Sequence, residues 1–411
     1  MSKIPFLRTF ATTSITILAF CLLSGMVQNS INSEVASINL DNLRNSGYRI
    51  DWMNQSNNHD LHLPTVTENS LYTLDSNDYL SKYDLMSGEW IWTSPIGNQV
   101  FELRSINESK HNGMVYIVSD GAVYVIESDS GNYPSSSRTT NSSETTAKKL
   151  YPLKLVANTP AIYNDKYLIY GSTSGDVIWF NPEIGYSSNR YRIGSSVDVE
   201  PTFAEGSTSI DGRKKSAIIT PSKNGTIIAI NSRTLKQFWT LKLIDAIEAP
   251  VTYSSETSKT STTPVPRTSV FIAGTDQYLR SVDFFSGKPR WKVLTTSKLE
   301  DSPFVLEDNV YQRIPDIGLG SYIAFPHEIN AKENWLASDV SGNVITTTPD
   351  NRLVCWDENA RILQIVEPRT GGVVSNVSMS STKQLITDNK TNGSLYLITD
   401  NDMILRIVPR Q

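Results

Sequence analysis

One spacing constrains this chain more than any other: Asp, three residues, Gly, three residues, Trp. It stands at Asp84, Gly88 and Trp92 and returns in full at Asp283, Gly287 and Trp291, 199 residues later. A near copy runs through Asn231, Leu235 and Trp239, with Asn for Asp and Leu for Gly. Around the first copy, Leu71 to Leu74 and Tyr79 to Tyr83 read as short strands separated by a Ser76-Asn77-Asp78 turn. Trp90 to Trp92 then opens a third strand, which makes a meander with polar turn chemistry at each reversal. Two copies and a near copy in 411 residues mark a repeat protein.

Further anchors extend the series to positions 84, 127, 181, 231, 283, 357 and 408, at spacings of 43, 54, 50, 52, 74 and 51. Most lie near the roughly 40–50 residues of a four-stranded propeller blade with its loops. The gap of 74 is too short for two blades of that size and predicts one blade carrying an insertion over 315–335. The last repeat lacks a Trp-bearing outer strand, whereas Tyr48 to Trp52 is such a strand without a blade. Pairing the two closes the ring and leaves no open edge to aggregate. The expectation is an all-β closed propeller over 37–411 with seven four-stranded blades, eight being the alternative, closed by the N-terminal strand. Ser/Thr-rich loops are expected at about 134–149 and 254–268, and a short helix fits only 331–337.

The spacing has a structural reason. The Asp or Asn side chain accepts backbone N–H groups within the turn, and Gly supplies a positive φ there. Trp then lies on the outer strand, where its ring packs against the neighbouring blade. Asp84, Gly88, Trp92, Asn231, Trp239, Asp283, Gly287 and Trp291 are therefore read as structural staples rather than as chemistry.

Lys82-Tyr-Asp84-Leu-Met-Ser87-Gly88 with Trp92, Ser281-Val-Asp283-Phe-Phe-Ser286-Gly287 with Trp291, and Ala229-Ile-Asn231-Ser-Arg-Thr234 with Trp239 resemble one known repeat. It is the Ala-x-Asp-x-x-Thr-Gly-x-x-x-Trp repeat of the PQQ-like, quinoprotein-type β-propellers. The resemblance covers roughly 48–411 and is specific for the fold, which hosts unrelated functions. It implies three readings. The preferred one is a non-catalytic scaffold for protein–protein interaction, similar in size and layout to the BamB-type branch. The second is a PQQ-dependent dehydrogenase. Such enzymes carry an adjacent Cys–Cys pair and carboxylate and amide calcium ligands, but Cys21 and Cys355 are far apart and no ligand set matches. The third is a lumenal or periplasmic ligand-sensing domain.

The remaining features bear on location and partners. Lys3 and Arg8 precede thirteen mostly apolar or small residues at 15–27, and no acidic residue occurs before Glu34. This is the layout of a signal peptide or signal anchor over 1–33, shorter than the roughly 20 residues of a comfortable span. Phe20 before Cys21 departs from a lipobox. The chain is thus expected to be exported: periplasmic or membrane-anchored facing the periplasm, or secreted or lumenal if eukaryotic. In a eukaryote the seven sequons, at Asn54, Asn107, Asn141, Asn224, Asn376, Asn389 and Asn392, would be glycan acceptors. Net charge is -5 with no basic stripe, which gives nucleic acid no footprint. His59 and His62 have a spacing a metal could use, but neither His111 nor His327 completes a pattern. No catalytic, cofactor or metal residue is assigned, and no cofactor is expected. A monomer with a protein partner in the envelope is. The aromatic stretch with Tyr322, Phe325 and Trp335 is the expected contact, as a long loop on a rigid scaffold.

Overall fold

In the computed structural model of the protein, the described residues are 40–96, 101–134, 150–208, 214–256, 267–326, 331–388 and 391–410. They form eight four-stranded antiparallel sheets, each a blade. Blades 1 to 7 occupy 62–95, 103–152, 162–192, 202–242, 252–294, 304–337 and 343–378 in chain order. Blade 8 takes its inner three strands from 382–409 and its outer strand, Tyr48–Gln55, from the start of the described chain. That strand pairs from Tyr48↔Pro409 to Gln55↔Met403. Inner strands of blades 7, 8, 1 and 2 touch in succession across the seam, so the ring is closed.

The expected count of seven is corrected to eight. Asp357 ends the second strand of blade 7, not the third, and so is no anchor. The anchor there is Glu367, whose carbonyl accepts Gly371 N–H at 2.9 Å, as the Asp84 carbonyl accepts Gly88. Blade 6 places Ile323 at the anchor position, with its N–H bonded to the Lys332 carbonyl. The stretch 315–335 is accordingly not an insertion. It supplies the second turn, third strand (Gly318–Ile323) and part of the outer strand (Glu333–Ala337) of blade 6. That outer strand also replaces the helix expected at 331–337; a short helix lies instead at Leu40–Asn45. The expected loops at 134–149 and 254–268 and the segment 1–33 lie largely or wholly outside the described residues.

The core is not one mass but eight apolar layers, one between each pair of neighbouring blades. Strand alternation explains this. Leu71 points toward blade 8 while Tyr72 points toward blade 2, so a central strand is apolar on both faces. Five of these layers are stapled at the outer end by a tryptophan. Trp52, Trp92, Trp239, Trp291 and Trp335 donate Nε1–H to the carbonyls of Leu85, Ser128, Phe284, Ala324 and Pro368, at 3.2, 2.8, 2.8, 3.0 and 2.9 Å. Every acceptor belongs to the next blade. Gly287 has φ +65°, and a Cβ there would lie 2.6 Å from the Trp239 ring. Glycine is therefore required twice over, by backbone and by close approach.

The turns repeat in detail. Asp84 Oδ1 accepts from the N–H groups of Met86 and Ser87 and from Ser87 Oγ, at 3.0, 2.7 and 2.9 Å. Asn231 and Asp283 make the same three bonds to their own turns. Between blades 2 and 3, Gly185 keeps its positive φ and Tyr151 takes the place of the Trp ring against it. Where the motif lapses elsewhere, both sides of the staple lapse together. Blade 3 has Asn189 at the Trp position, paired with Trp179, and blade 4 has Leu235 at the Gly position with φ +56°. Blade 7 has Ser375 there, facing blade 8, whose third and outer strands come from opposite parts of the sequence and share no turn. The helix Leu40–Asn45 packs against the Ser375 strand through Leu43.

One buried ion pair crosses a layer. Lys82 stands where other blades carry Ala229, Ser281 or Ser321 opposite the Trp. Its Nζ meets Glu108 Oε1 at 3.3 Å, Ser128 O at 3.0 Å and Ser128 Oγ at 2.7 Å, all from blade 2. Burial opposes the Glu108 charge. Hydrogen bonds from Ser128 and Thr67, with the Lys82 ammonium, nevertheless hold its carboxyl below the usual range.

Candidate docking face

Alternating strand direction puts the second turn of every blade, and the connection from each outer strand to the next blade, at one end of the ring. These loops are built as a set. The first N–H after the outer strand donates to the last residue of that blade's second turn: Ile96 to Asp78 O, Leu153 to Gly121 O, Ile193 to Gly175 O, Leu243 to Gly225 O, Thr295 to Gln277 O, and Met379 to Arg361 O, all at 2.7–2.9 Å. A surface made this way is held by backbone geometry rather than by side-chain chance.

Three consecutive connections carry a second repeat. Val197-Asp198, Ile247-Glu248 and Leu299-Glu300 each pair a buried apolar residue with an exposed carboxylate, and Pro201, Pro250 and Pro303 follow. The apolar member fills an inter-blade layer and so turns its neighbour outward. Hydrogen bonds lock the connections to one another: Thr202 Oγ1 to Val251 O at 2.9 Å, Ser302 Oγ to Pro250 O at 2.7 Å, and Thr252 Oγ1 to Pro303 O at 2.6 Å. Asp198, Glu248 and Glu300 thus form an arc of carboxylates across the starts of blades 4 to 6. Ile244, 92% exposed, stands in the middle connection beside the exposed Asp245.

Nearby carboxylates are already engaged. Asp301 accepts from Asn343 Nδ2 at 2.7 Å and pairs with Arg313 at 3.1 Å. Glu200 is largely turned inward, and burial pushes its carboxyl up toward the neutral form. Within the arc, Asp198 accepts from Asn158 Nδ2 at 2.7 Å and from Ser196 Oγ, and pairs with Lys223 at 3.7 Å. Glu248 and Glu300 are exposed and make no such bond among the described residues, so they are the carboxylates best placed to meet another molecule. Fixed negative charge around an exposed aliphatic side chain complements a basic segment with an apolar anchor.

Sequence reasoning missed this arc because it followed the turn anchors alone. The signal was present: Asp198, Glu248 and Glu300 each lie seventeen residues beyond Asn181, Asn231 and Asp283. The stretch it selected instead is interior. Tyr322 and Phe325 are 2% and 6% exposed in the layer between blades 5 and 6, and Trp335 packs on Tyr311 with ring centroids 5.8 Å apart. Those side chains are corrected to packing residues. Asp84, Gly88, Trp92, Asn231, Trp239, Asp283, Gly287 and Trp291 lie in the turns and staples described above.

Among the described residues there is no group of three or more His, Cys, Asp or Glu that could hold a metal ion. Cys355 is fully buried between blades 6 and 7, where burial pushes its thiol up. His59 and His111 each lie 3.9 Å from one carboxylate, of Asp402 and Asp165, and His62 Nδ1 lies 3.2 Å from the Asp60 carbonyl. His327 lies outside the described residues. No described helix is long and apolar enough to cross a membrane.

Among solved structures, BamB from Moraxella catarrhalis is similar, with a TM-score of 0.62 and 14% identity over 88% of this chain and 97% of that one. The computationally designed Ika8 protein is also similar, with a TM-score of 0.59 and 12% identity over 86% and 98%. At these identities the likeness establishes the fold. No curated protein matches. The family model described as outer membrane protein assembly factor BamB matches residues 44–252 and 223–384, which together take in seven blades and the outer strand of the eighth. By its repeats, its ring and that match, the chain belongs to the BamB family of PQQ-like β-propellers.

Proposed function

We propose that this protein is an exported, non-catalytic propeller that docks a protein partner in the cell envelope, through the arc of Asp198, Ile244, Glu248 and Glu300. The observation that carries the reading is that arc: one carboxylate repeated at the same place in three successive connections, on loops fixed by backbone hydrogen bonds. Membership of a family named for an outer membrane assembly factor supports a scaffold acting within an assembly. The charge order of the N-terminus, with Lys3 and Arg8 before the apolar run at 15–27, supports export. The partner segment is expected to be basic with an apolar anchor. Its association should weaken with salt, because exposed charges are screened beyond about 8 Å at physiological ionic strength.

The triple variant Asp198→Asn, Glu248→Gln, Glu300→Gln tests the reading. All three side chains are exposed, and Asn at 198 keeps an amide oxygen to accept from Asn158, so the fold should be unaffected. Co-purification of the native partner under low salt is expected to fall by about tenfold or more, in line with several rim and centre charges acting together. Co-purification at wild-type level would sink the proposed surface.

A further inference from the structure

At the opposite end of the ring Gly47 and Arg410 meet, and beside them lies a cavity of about 650 Å³. Arg410 N–H donates to the Gly47 carbonyl at 2.7 Å, which closes the seam where other blades have an outer turn. Four arginines line the cavity, Arg49, Arg352, Arg406 and Arg410, against two carboxylates, Asp51 and Asp350. Both carboxylates are already in use. Asp51 pairs with Arg406 at 3.0 Å and Arg49 at 3.5 Å, and Asp350 pairs with Arg352 at 3.3 Å. Two guanidinium charges remain in excess.

Arg406 carries the argument further. It is 8% exposed, and its Nε is buried without a hydrogen-bond partner among the described residues. Its place in blade 8 is the place of Lys82 in blade 1. Arg406 lies opposite Trp52 and Tyr396, as Lys82 lies opposite Trp92 and Tyr72. Each cation sits 5.7 Å from the centre of its tyrosine ring. The two modules differ in acceptors. Lys82 is satisfied by Glu108 and by the Ser128 hydroxyl and carbonyl. The counterpart of Ser128 next to blade 8 is Leu85, which accepts Trp52 through its carbonyl and has no hydroxyl to offer. A buried donor of this kind is destabilising unless it is met.

We propose that this cavity is an anion site that takes a phosphate-type dianion, carried either by a soluble phosphate or by a lipid headgroup. A dianion balances the two excess charges, and planar guanidinium forks bind phosphate oxygens in pairs. The cavity volume lies within the roughly 300–1,000 Å³ of ligand sites. Because its walls come from blade 7, both ends of blade 8 and Met86 of blade 1, an occupant ties the seam together from three sides. It should therefore raise the stability of the closed ring by mass action.

The test uses the full chain at constant ionic strength, with chloride as the reference salt. Inorganic phosphate is titrated by calorimetry and thermal unfolding. In parallel, phosphatidylcholine vesicles with and without phosphatidic acid are assayed by co-sedimentation. Arg352→Gln/Arg410→Gln leaves the buried pair intact and is expected to weaken binding about tenfold or more, while Asp350→Asn is expected to strengthen it. A phosphate-specific rise in Tm with those two opposite responses supports a soluble ligand. Sedimentation that requires phosphatidic acid, with the same responses, supports a headgroup. Binding of neither probe, an adventitious salt effect equal in all variants, or the same response from both variants would overturn the site.

Discussion

Trp291→Ala is expected to lower the unfolding free energy by about 3–5 kcal/mol, the range for deleting a buried large aromatic side chain. The ring is 2% exposed, packs on Phe271 with centroids 6.0 Å apart, and donates to the Ala324 carbonyl at 3.0 Å. Removing it opens a cavity between blades 5 and 6 and leaves that carbonyl without its partner. Trp90→Ala is the control. Trp90 is 58% exposed and its Nε1 bonds only to Thr93 within its own strand, so a change within about 0.5 kcal/mol is expected. Urea denaturation read by fluorescence and circular dichroism separates the two. Equal losses would mean that the motif tryptophans do not hold neighbouring blades together.

Lys82→Met is expected to cost a similar amount, about 3–5 kcal/mol, because it strands Glu108 beside a buried layer without its counter-charge. Lys82→Met/Glu108→Leu should recover most of the loss, since an apolar pair of similar volume is often neutral in such a place. The pH dependence has a definite sign. The Glu108 carboxyl titrates below its ordinary range in the folded protein, so its stabilising contribution is present above that range. It is lost as pH falls through the lowered folded value. In Lys82→Met the remaining burial favours the neutral acid instead, so the gap between variant and wild type should narrow as pH falls. Denaturation at several pH values reads this directly. A gap that widens in acid would contradict the assignment of Glu108 as the charged partner.

The fold was legible where local turn chemistry and inter-blade packing coincide in one short motif. Asp84-Gly88-Trp92 and Asp283-Gly287-Trp291 could be read without a structure because the turn needs Asp and Gly and the next blade needs Trp. Closure by Tyr48 to Trp52 followed from the same pattern, and the strand does pair with the C-terminal one. The eighth blade was not legible because its anchor is Ile323, whose side chain has no oxygen to accept a turn N–H and whose own N–H bonds to the Lys332 carbonyl. Glu367-Pro-Arg-Thr-Gly371 did keep the chemistry, with Glu for Asp, but the more obvious Asp357 nearby drew the register away. Tyr322 and Phe325 were misplaced for the same reason. Once blade 6 was read as a loop, its core aromatics looked like surface. The docking arc lay in connections whose composition resembles ordinary loops, and only their common offset from the anchors distinguishes them.

The acidic arc is proposed as the face this scaffold offers to a protein partner. A photo-crosslinker placed at Ile244 in the full-length protein, in its native envelope, tests this most directly, with a second placed at Met86 on the opposite end of the ring. One discrete protein adduct is expected from position 244, lost when Asp198, Glu248 and Glu300 are neutralised, and no such adduct from position 86. An adduct from 86 alone, or one from 244 that survives neutralisation of all three carboxylates, would contradict it.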